Sequence, residues 1–334
     1  MQDPFFTRTL LEWYDASGRD LPWRRTKDPY AIWMSEIILQ QTRIAQGLSY
    51  WERFMARFPD VGTLAAADEG EVLRLWEGLG YYSRGRNLLT AARQIAARGS
   101  FPDTLEEIRA LKGVGDYTAA AIASIAFDIP AAVVDGNVYR VLARFYGIAT
   151  QIGTTAAKKE FTDLAQALLP EDRPGDFNQA MMDFGALQCT PASPACLVCP
   201  LAARCDALRT GRTAMLPVRK APVVTRERHL RYIYLRCAGE TAIRRRGKGD
   251  IWQGLWEPIL QEDDFTDYPG QQLLKKGVRH QLTHQHLTVD FYLLETSEKP
   301  TLPDGYVWIP ETALDTYAKP RLFELLLEET AKNR

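Results

Sequence analysis

Leu111-Lys112-Gly113-Val114-Gly115-Asp116-Tyr117-Thr118-Ala119 lies between two stretches of helical periodicity and carries two glycines one residue apart. Such a pair permits a tight turn and lets the backbone approach a phosphate. The helix expected from Asp116 would aim its first N–H groups at the same point, where they favour an anion. A G-x-G turn also joins many helix pairs that bind nothing. Gly113, Val114 and Gly115 therefore need support from the rest of the chain.

To either side the chain reads as helix. Apolar residues recur at helical spacing through Phe5 to Tyr14, Ile32 to Ile44, Val72 to Leu79 and Phe161 to Leu169. Pro29, Pro59, Gly70, Pro130, Pro170 and Pro174 break the pattern. Past Cys205 the texture changes. Arg212 to Val224 holds Pro217 and Pro222 and little periodicity, which reads as a linker. Tyr232 to Leu235 is aromatic and β-branched, and Leu287, Val289, Phe291 and Leu293 alternate with Thr288, Asp290 and Tyr292, the period of a half-buried strand. Gln271 to Lys276 and Arg321 to Glu329 look helical. The organisation expected is a mainly α domain over 1–210, a linker over 211–225 and an α/β unit over 226–334. A length of 334 residues, 46% of them hydrophobic, suits two domains with real cores.

The net charge of −1 excludes a generic polycation that coats nucleic acid. Local charge tells more: from Arg209 to Lys248 there are twelve Arg and Lys against two acids, Glu227 and Glu240. Met1-Gln2-Asp3-Pro4 does not read as a secretory leader, and Ala119 to Phe127 is too short an apolar run to span a bilayer. A cytoplasmic protein with no membrane partner is expected.

Four of the five cysteines, Cys189, Cys196, Cys199 and Cys205, give the spacing C-x6-C-x2-C-x5-C. Thiolates are soft ligands, and four in one short loop suit zinc or an iron–sulfur cluster. Structural zinc sites usually show two close pairs. Here only Cys196 and Cys199 form one, which tilts the reading towards [4Fe–4S]. Cys237 stands alone and reads as structural.

Two carboxylates stand out. Asp135 precedes the amphipathic stretch Val138 to Tyr146 and reads as a helix N-cap, where N–H groups favour the anion. Glu36 lies inside Trp33-Met34-Ser35-Glu36-Ile37-Ile38-Leu39, sharing a helical face with Ile32, Trp33, Leu39 and Gln40. Among apolar groups its carboxyl should hold a proton near neutral pH. A solvent-facing residue or a buried ion pair is the alternative. Together they make a division of labour, Glu36 as acid and Asp135 as anionic stabiliser or nucleophile, of the kind that cleavage at a sugar needs.

The stretch Leu111 to Ala119, followed by Val134-Asp135-Gly136-Asn137-Val138, resembles the helix-hairpin-helix glycosylase superfamily. Ser35-Glu36-Ile37-Ile38-Leu39-Gln40-Gln41-Thr42, Leu21-Pro22-Trp23-Arg24 and Gly78-Leu79-Gly80-Tyr81-Tyr82-Ser83-Arg84 resemble its MutY-type adenine glycosylases, and the cysteine spacing matches that family's [4Fe–4S] loop. The resemblance is dense over about 5–210 and thin beyond. It implies an adenine DNA glycosylase of base excision repair, acting on adenine opposite 8-oxoguanine or guanine. Glu36 corresponds to the acid that protonates adenine at N7, and Asp135 to the carboxylate that stabilises the oxocarbenium-like sugar or bonds to it transiently. Asn137 and Tyr117 correspond to residues that support this chemistry, and Arg19, Trp23, Arg24 and Gln179 to the adenine pocket. Gln41 and Tyr81 correspond to residues that enter the duplex, as the target base must leave the stack. The hairpin Gly113-Val114-Gly115 would hold phosphates together with a monovalent cation. Related bifunctional enzymes of the endonuclease III type carry a Schiff-base lysine where Tyr117 stands, so strand cleavage through an imine is not expected.

Ile251-Trp252-Gln253-Gly254-Leu255-Trp256-Glu257-Pro258 resembles the family's Nudix-like lesion-reading domain. The G-x5-E-x7-RE-x2-EE-x-G box of Nudix hydrolases is missing from 226–334, so pyrophosphatase activity is not expected. The family's Phe-Ser-His loop is Leu282-Thr283-His284 here, with Thr283 and His284 as the lesion contacts in an exposed loop before the strand. The resemblance implies a monomer working on double-stranded DNA that contains an adenine mispair, in the cytoplasm at the nucleoid. A bifunctional glycosylase/lyase and a non-catalytic iron–sulfur DNA-binding protein are the alternatives. The second would leave Glu36 and Asp135 without a task.

Overall fold

Short polar side chains set where the helices begin. Asp3, Asp28, Asp68, Thr104, Asp135 and Thr154 each accept a backbone N–H from the first turn that follows. Each cap satisfies a donor that has no partner inside the helix. The computed structural model describes residues 3–219, 225–262, 265, 267–282 and 284–333. In chain order the helices are α1 (Pro4–Ser17), α2 (Pro29–Leu39), α3 (Ile44–Arg57), α4 (Val61–Ala66), α5 (Glu69–Leu75), α6 (Ser83–Arg98), α7 (Leu105–Arg109), α8 (Asp116–Phe127), α9 (Gly136–Tyr146), α10 (Thr155–Leu168), α11 (Pro174–Asp183), α12 (Asp206–Arg209) and α13 (Arg321–Lys332). The strands are β1 (Arg226–Cys237), β2 (Glu240–Arg245), β3 (Trp256–Glu257), β4 (Ile259–Glu262), β5 (Gln272–Gln281), β6 (Gln285–Thr296) and β7 (Tyr306–Pro310). Among the described residues no helix is long and apolar enough to cross a membrane.

Two compact units emerge. One comprises Met1–Ala66 with Thr90–Ala221, the other Ala67–Leu89 with Pro222–Arg334. In the first, Phe6 and Leu10 of α1, Val138, Leu142 and Phe145 of α9, Phe161 of α10 and Phe177 and Phe184 around the end of α11 form one core. Leu216 is buried in that same core, and the Val218 carbonyl accepts from Ile152 N–H at 2.9 Å. The front of the expected linker is thus packed, and 220–224 lie outside the described residues. Helix α2 is buried on every side from Tyr30 to Ile38.

The second unit is built on a sheet in the order β3-β2-β1-β6-β5, with β4 added to β1 and β7 to β2. Strands β1 and β6 run parallel, from Arg226 opposite Gln285 to Cys237 opposite Thr296. Helix α13 covers one face through Leu322, Phe323 and Leu326. Residues 67–89 belong here for concrete reasons. The Tyr82 hydroxyl donates to the Lys319 carbonyl at 3.2 Å, Glu77 accepts from Lys319 N–H at 2.9 Å, and Arg86 donates to the Gln253 carbonyl at 2.6 Å. The division therefore differs from the contiguous one expected, because hydrogen bonds, not chain order, decide it.

Three local expectations also change. The helix through Ile32 stops at Leu39, and Gln41 turns the chain with a φ of 59° before α3. The helix through Val72 stops at Leu75. Gln271 to Lys276 is not helical, since β5 runs through it and pairs antiparallel with β6. Its sequence is too polar to reveal the period, and the neighbour β6 decides the conformation.

Candidate active site

Because α2 is buried all round, its one carboxylate is buried with it. Glu36 is 9% exposed. Burial pushes its carboxyl up, the Arg24 guanidinium and a hydrogen bond from Tyr117 pull it down, and Asp135 pushes it up again; the result is about 7. The apolar surroundings dominate, because taking an unpaired charge out of water is costly. Glu36 faces a cavity whose wall also carries Asp135, Asn137 and Tyr117. The Tyr117 hydroxyl also lies 3.2 Å from Met182 Sδ, and burial together with Glu36 and Asp135 keeps this phenol far from ionising.

Asp135 is the N-cap of α9. Its Oδ1 accepts from Asn137 N–H and Val138 N–H, both at 2.8 Å, and its Oδ2 accepts from Asn137 Nδ2 at 2.8 Å. Three donors fix the orientation of this carboxylate. The extended segment that delivers it is pinned by Asn178, whose Oδ1 accepts from Val133 N–H at 3.0 Å and whose Nδ2 donates to the Ala131 carbonyl at 2.8 Å. Asn137 Oδ1 in turn accepts from Arg140 Nη2 at 2.7 Å. Arg140 is buried and spans from there to the carbonyls of Gly185 and Cys189, each at 2.7 Å. Only glycine fits at 185. A Cβ there would lie 2.5 Å from Asn137 Cβ and 3.0 Å from Asn137 Cα.

The cavity also has a basic and aromatic lining. Arg19, Trp23, Arg24 and Gln179 line the same cavity. Both arginines converge on Asp183, which has no exposed surface. Arg24 donates to its two oxygens at 2.7 and 2.9 Å, and Arg19 donates through its backbone N–H and its Nε, both at 2.9 Å. Burial pushes Asp183 up, but the hydrogen bonds and charges of Arg24 and Arg19 outweigh it and hold the carboxyl at about 2.

Residues 34–167 match the HhH-GPD superfamily base excision DNA repair proteins, and residues 231–329 match a NUDIX domain. The adenine DNA glycosylase of Rattus norvegicus is 47% identical over 226 residues, covering 64% of this chain and 44% of that protein. The adenine DNA glycosylase of Buchnera aphidicola subsp. Baizongia pistaciae (strain Bp) is 31% identical over 296 residues, covering 85% of this chain and 84% of that one. The chain belongs to the adenine DNA glycosylase family. It spans less than half the length of its mammalian relatives, 44% in rat and 39% in human. Among solved structures, a thermostable thymine-DNA glycosylase aligns with a TM-score of 0.56 at 30% identity, covering 61% of this chain and 95% of that one. An endonuclease III–DNA complex, at 21% identity and a TM-score of 0.53, covers 62% and 95% and shares the fold.

In this adenine DNA glycosylase family member the hairpin residues lie between α7 and α8. Gly113 has a φ of 81°, Val114 is buried, and Gly115 is the exposed N-cap of α8. A Cβ at Gly115 would meet no protein atom within 4 Å. The four cysteines line one cavity together with Arg144, Phe145, Gln188 and Leu201. Arg144 Nη1 donates to Cys189 Sγ at 3.4 Å, and Cys205 Sγ donates to the Arg144 carbonyl at 3.5 Å. Among the described residues no three His, Cys, Asp or Glu side chains are gathered as a formed metal site. The donor set itself, four soft thiols lining one cavity, fits an iron–sulfur cluster.

Apart from Gln41, which is exposed in the turn between α2 and α3, the remaining candidates lie in the second unit. Tyr81 is 52% exposed with a φ of 47°, and His284 is exposed in the turn between β5 and β6. Both line a cavity with Trp252 and Gln253. Thr283 lies outside the described residues. Sequence reasoning missed Asp183, Arg140 and Asn178. Asp183 sits one helical turn beyond Gln179, and Arg140 one turn beyond Asn137. That spacing was the available signal, but nothing local says which partner a buried arginine or aspartate will meet.

Proposed function

We propose that this protein is a monofunctional adenine DNA glycosylase that removes adenine opposite 8-oxoguanine or guanine from double-stranded DNA. The observation that carries the reading is a carboxyl poised at about 7, Glu36, sharing one cavity with Asp135, a carboxylate held by three donors. Glu36 gives its proton to N7 of the flipped adenine. The bond from C1′ to N9 then breaks with its electron pair moving into the base. The Asp135 anion stabilises the cationic sugar, or bonds to it transiently, until water adds. Asn137 holds Asp135, and Tyr117 hydrogen-bonds to Glu36. Arg19, Trp23, Arg24 and Gln179 orient the base. Gln41 and Tyr81 take its place in the duplex, the hairpin 113–115 with a monovalent cation grips phosphate, and Thr283 with His284 reads the lesion. A positive φ at the non-glycine residues Gln41 and Tyr81 supports a functional role, because residues held in such strained conformations cluster at functional sites.

Cys189, Cys196, Cys199 and Cys205 would hold a [4Fe–4S] cluster, which supplies a rigid staple for the loop and a redox-active centre. The purified protein should be brown, with about four irons per chain. Acting as a monomer in the cytoplasm at the nucleoid fits this role. A duplex with adenine opposite 8-oxoguanine tests the reading. Base release should precede strand breakage, which should need alkali. Breakage without alkali would favour the bifunctional lyase, and absence of release the non-catalytic DNA-binding protein. Tyr117 offers a phenol and no amine, which weighs against the lyase.

A further inference from the structure

The deepest charge in the first unit has no part in the chemistry above. Asp183 ends α11, fully buried, one turn from Gln179. It receives four hydrogen bonds at 2.7–2.9 Å, two from Arg24 and two from Arg19, and a further short one from Arg19 Nη2. Arg24 Nη1 also donates to the Arg19 carbonyl at 3.0 Å, so the three residues form one closed network. We infer that Asp183 is a positioning residue for base excision, holding Arg19 and Arg24 against one wall of the cavity and balancing the positive charge that Arg24 presents to Glu36. The inference rests on Glu36 being the acid.

The physical reason is charge balance. Glu36 faces Arg24 from the turn Pro22–Arg24, Tyr117 from α8 and Asp135 from the start of α9. Of these, only Arg24 brings a positive charge, and it favours the ionised, proton-empty Glu36. Asp183 occupies both Nη atoms of Arg24 with an opposite charge and keeps the guanidinium from turning to Glu36 as an ion-pair partner. Without that anion, two arginines would be left with one uncompensated neighbourhood. The nearest free carboxyl would ionise to serve them, and the acid would be lost at neutral pH. Asp183 thus acts through Arg24 and touches neither base nor sugar.

The test is the pH profile of single-turnover excision from an 8-oxoguanine:adenine duplex, at enzyme concentrations that saturate binding. Wild type should lose rate as pH rises through about 7, as Glu36 gives up its proton. Asp183→Asn keeps the shape and removes the charge. Its profile should move at least one pH unit lower, which costs about fivefold or more in rate at pH 7 and about tenfold well above it. Arg24→Gln removes the balanced charge and should move the profile the other way. It also keeps the test alive if Asp183→Asn fails to fold. The double variant should return the midpoint towards wild type. A midpoint unmoved in Asp183→Asn, or unmoved in Arg24→Gln, overturns the inference, as does a uniform loss at every pH. Glu36→Gln separates the two readings. If it excises normally, the general-acid assignment falls and takes this one with it. If it is inactive while the Asp183→Asn midpoint stays put, only the role of Asp183 falls.

Discussion

At the scale of single residues, the cost of function can be measured on Glu36. Its carboxyl is raised from an ordinary 4.5 to about 7 by burial. A group raised in the folded state binds its proton more tightly there than in the unfolded chain. Its stabilising share is complete below about pH 4.5 and is lost progressively as pH rises to about 7. That span corresponds to about 3 kcal/mol. Glu36→Gln keeps the volume and cannot ionise. We therefore expect its stability, measured by urea denaturation, to fall less than that of wild type between pH 4.5 and 7 and to exceed it above. Parallel curves for the two proteins would remove the buried-acid account. The same variant should bind the mispair and excise at least ~10²-fold more slowly, the usual worth of a general acid.

Among elements, the seam between α9 and the end of α11 carries the most geometry. Helix α11 passes into a wider π-helical turn at Phe184–Gln188 before Cys189. Gly185 in that turn meets Asn137 so closely that no side chain fits. The approach lets Arg140 reach the carbonyls of Gly185 and Cys189 while it holds Asn137. Gly185→Ala should push the turn away from α9 by the width of a methyl group. Overpacking of this kind costs about 1–3 kcal/mol. Excision should fall further than stability alone explains, because Asn137 supports Asp135. Urea denaturation and single-turnover excision measure the two effects. A variant with unchanged stability and unchanged rate would show that the turn yields freely.

At the scale of the whole molecule, the two units carry separate candidate sites. The cavity of Glu36 and Asp135 draws its wall from the first unit, and the cavity of Tyr81 and His284 from the second. Removing a lesion contact should therefore leave the chemistry intact. His284→Ala combined with Thr283→Val should erode the preference for 8-oxoguanine:adenine over guanine:adenine by about ten- to a hundred-fold, the worth of one well-placed hydrogen bond or base contact. The ratio of binding to the two mispairs measures this. An unchanged ratio would move discrimination to Gln41 and Tyr81.

Much of this was legible in the chain itself, because it depends on local rules. Asp135 reads as a cap since a short carboxylate before an amphipathic helix satisfies free N–H groups, and it is one. Glu36 reads as a raised acid since its neighbours along the helix are apolar. The alternation of Leu287 to Leu293 announces β6. What depends on partners distant in sequence was not legible. Gln271 to Lys276 became strand because β6 offered a ladder, against its own helical look. Residues 67–89 joined the second unit because Tyr82, Glu77 and Arg86 found partners well over a hundred residues away. Asp183 became the anchor of Arg19 and Arg24 across 159 residues or more of chain. A buried charge takes its meaning from the counter-charge the fold brings to it, and that pairing is decided only when the chain closes on itself.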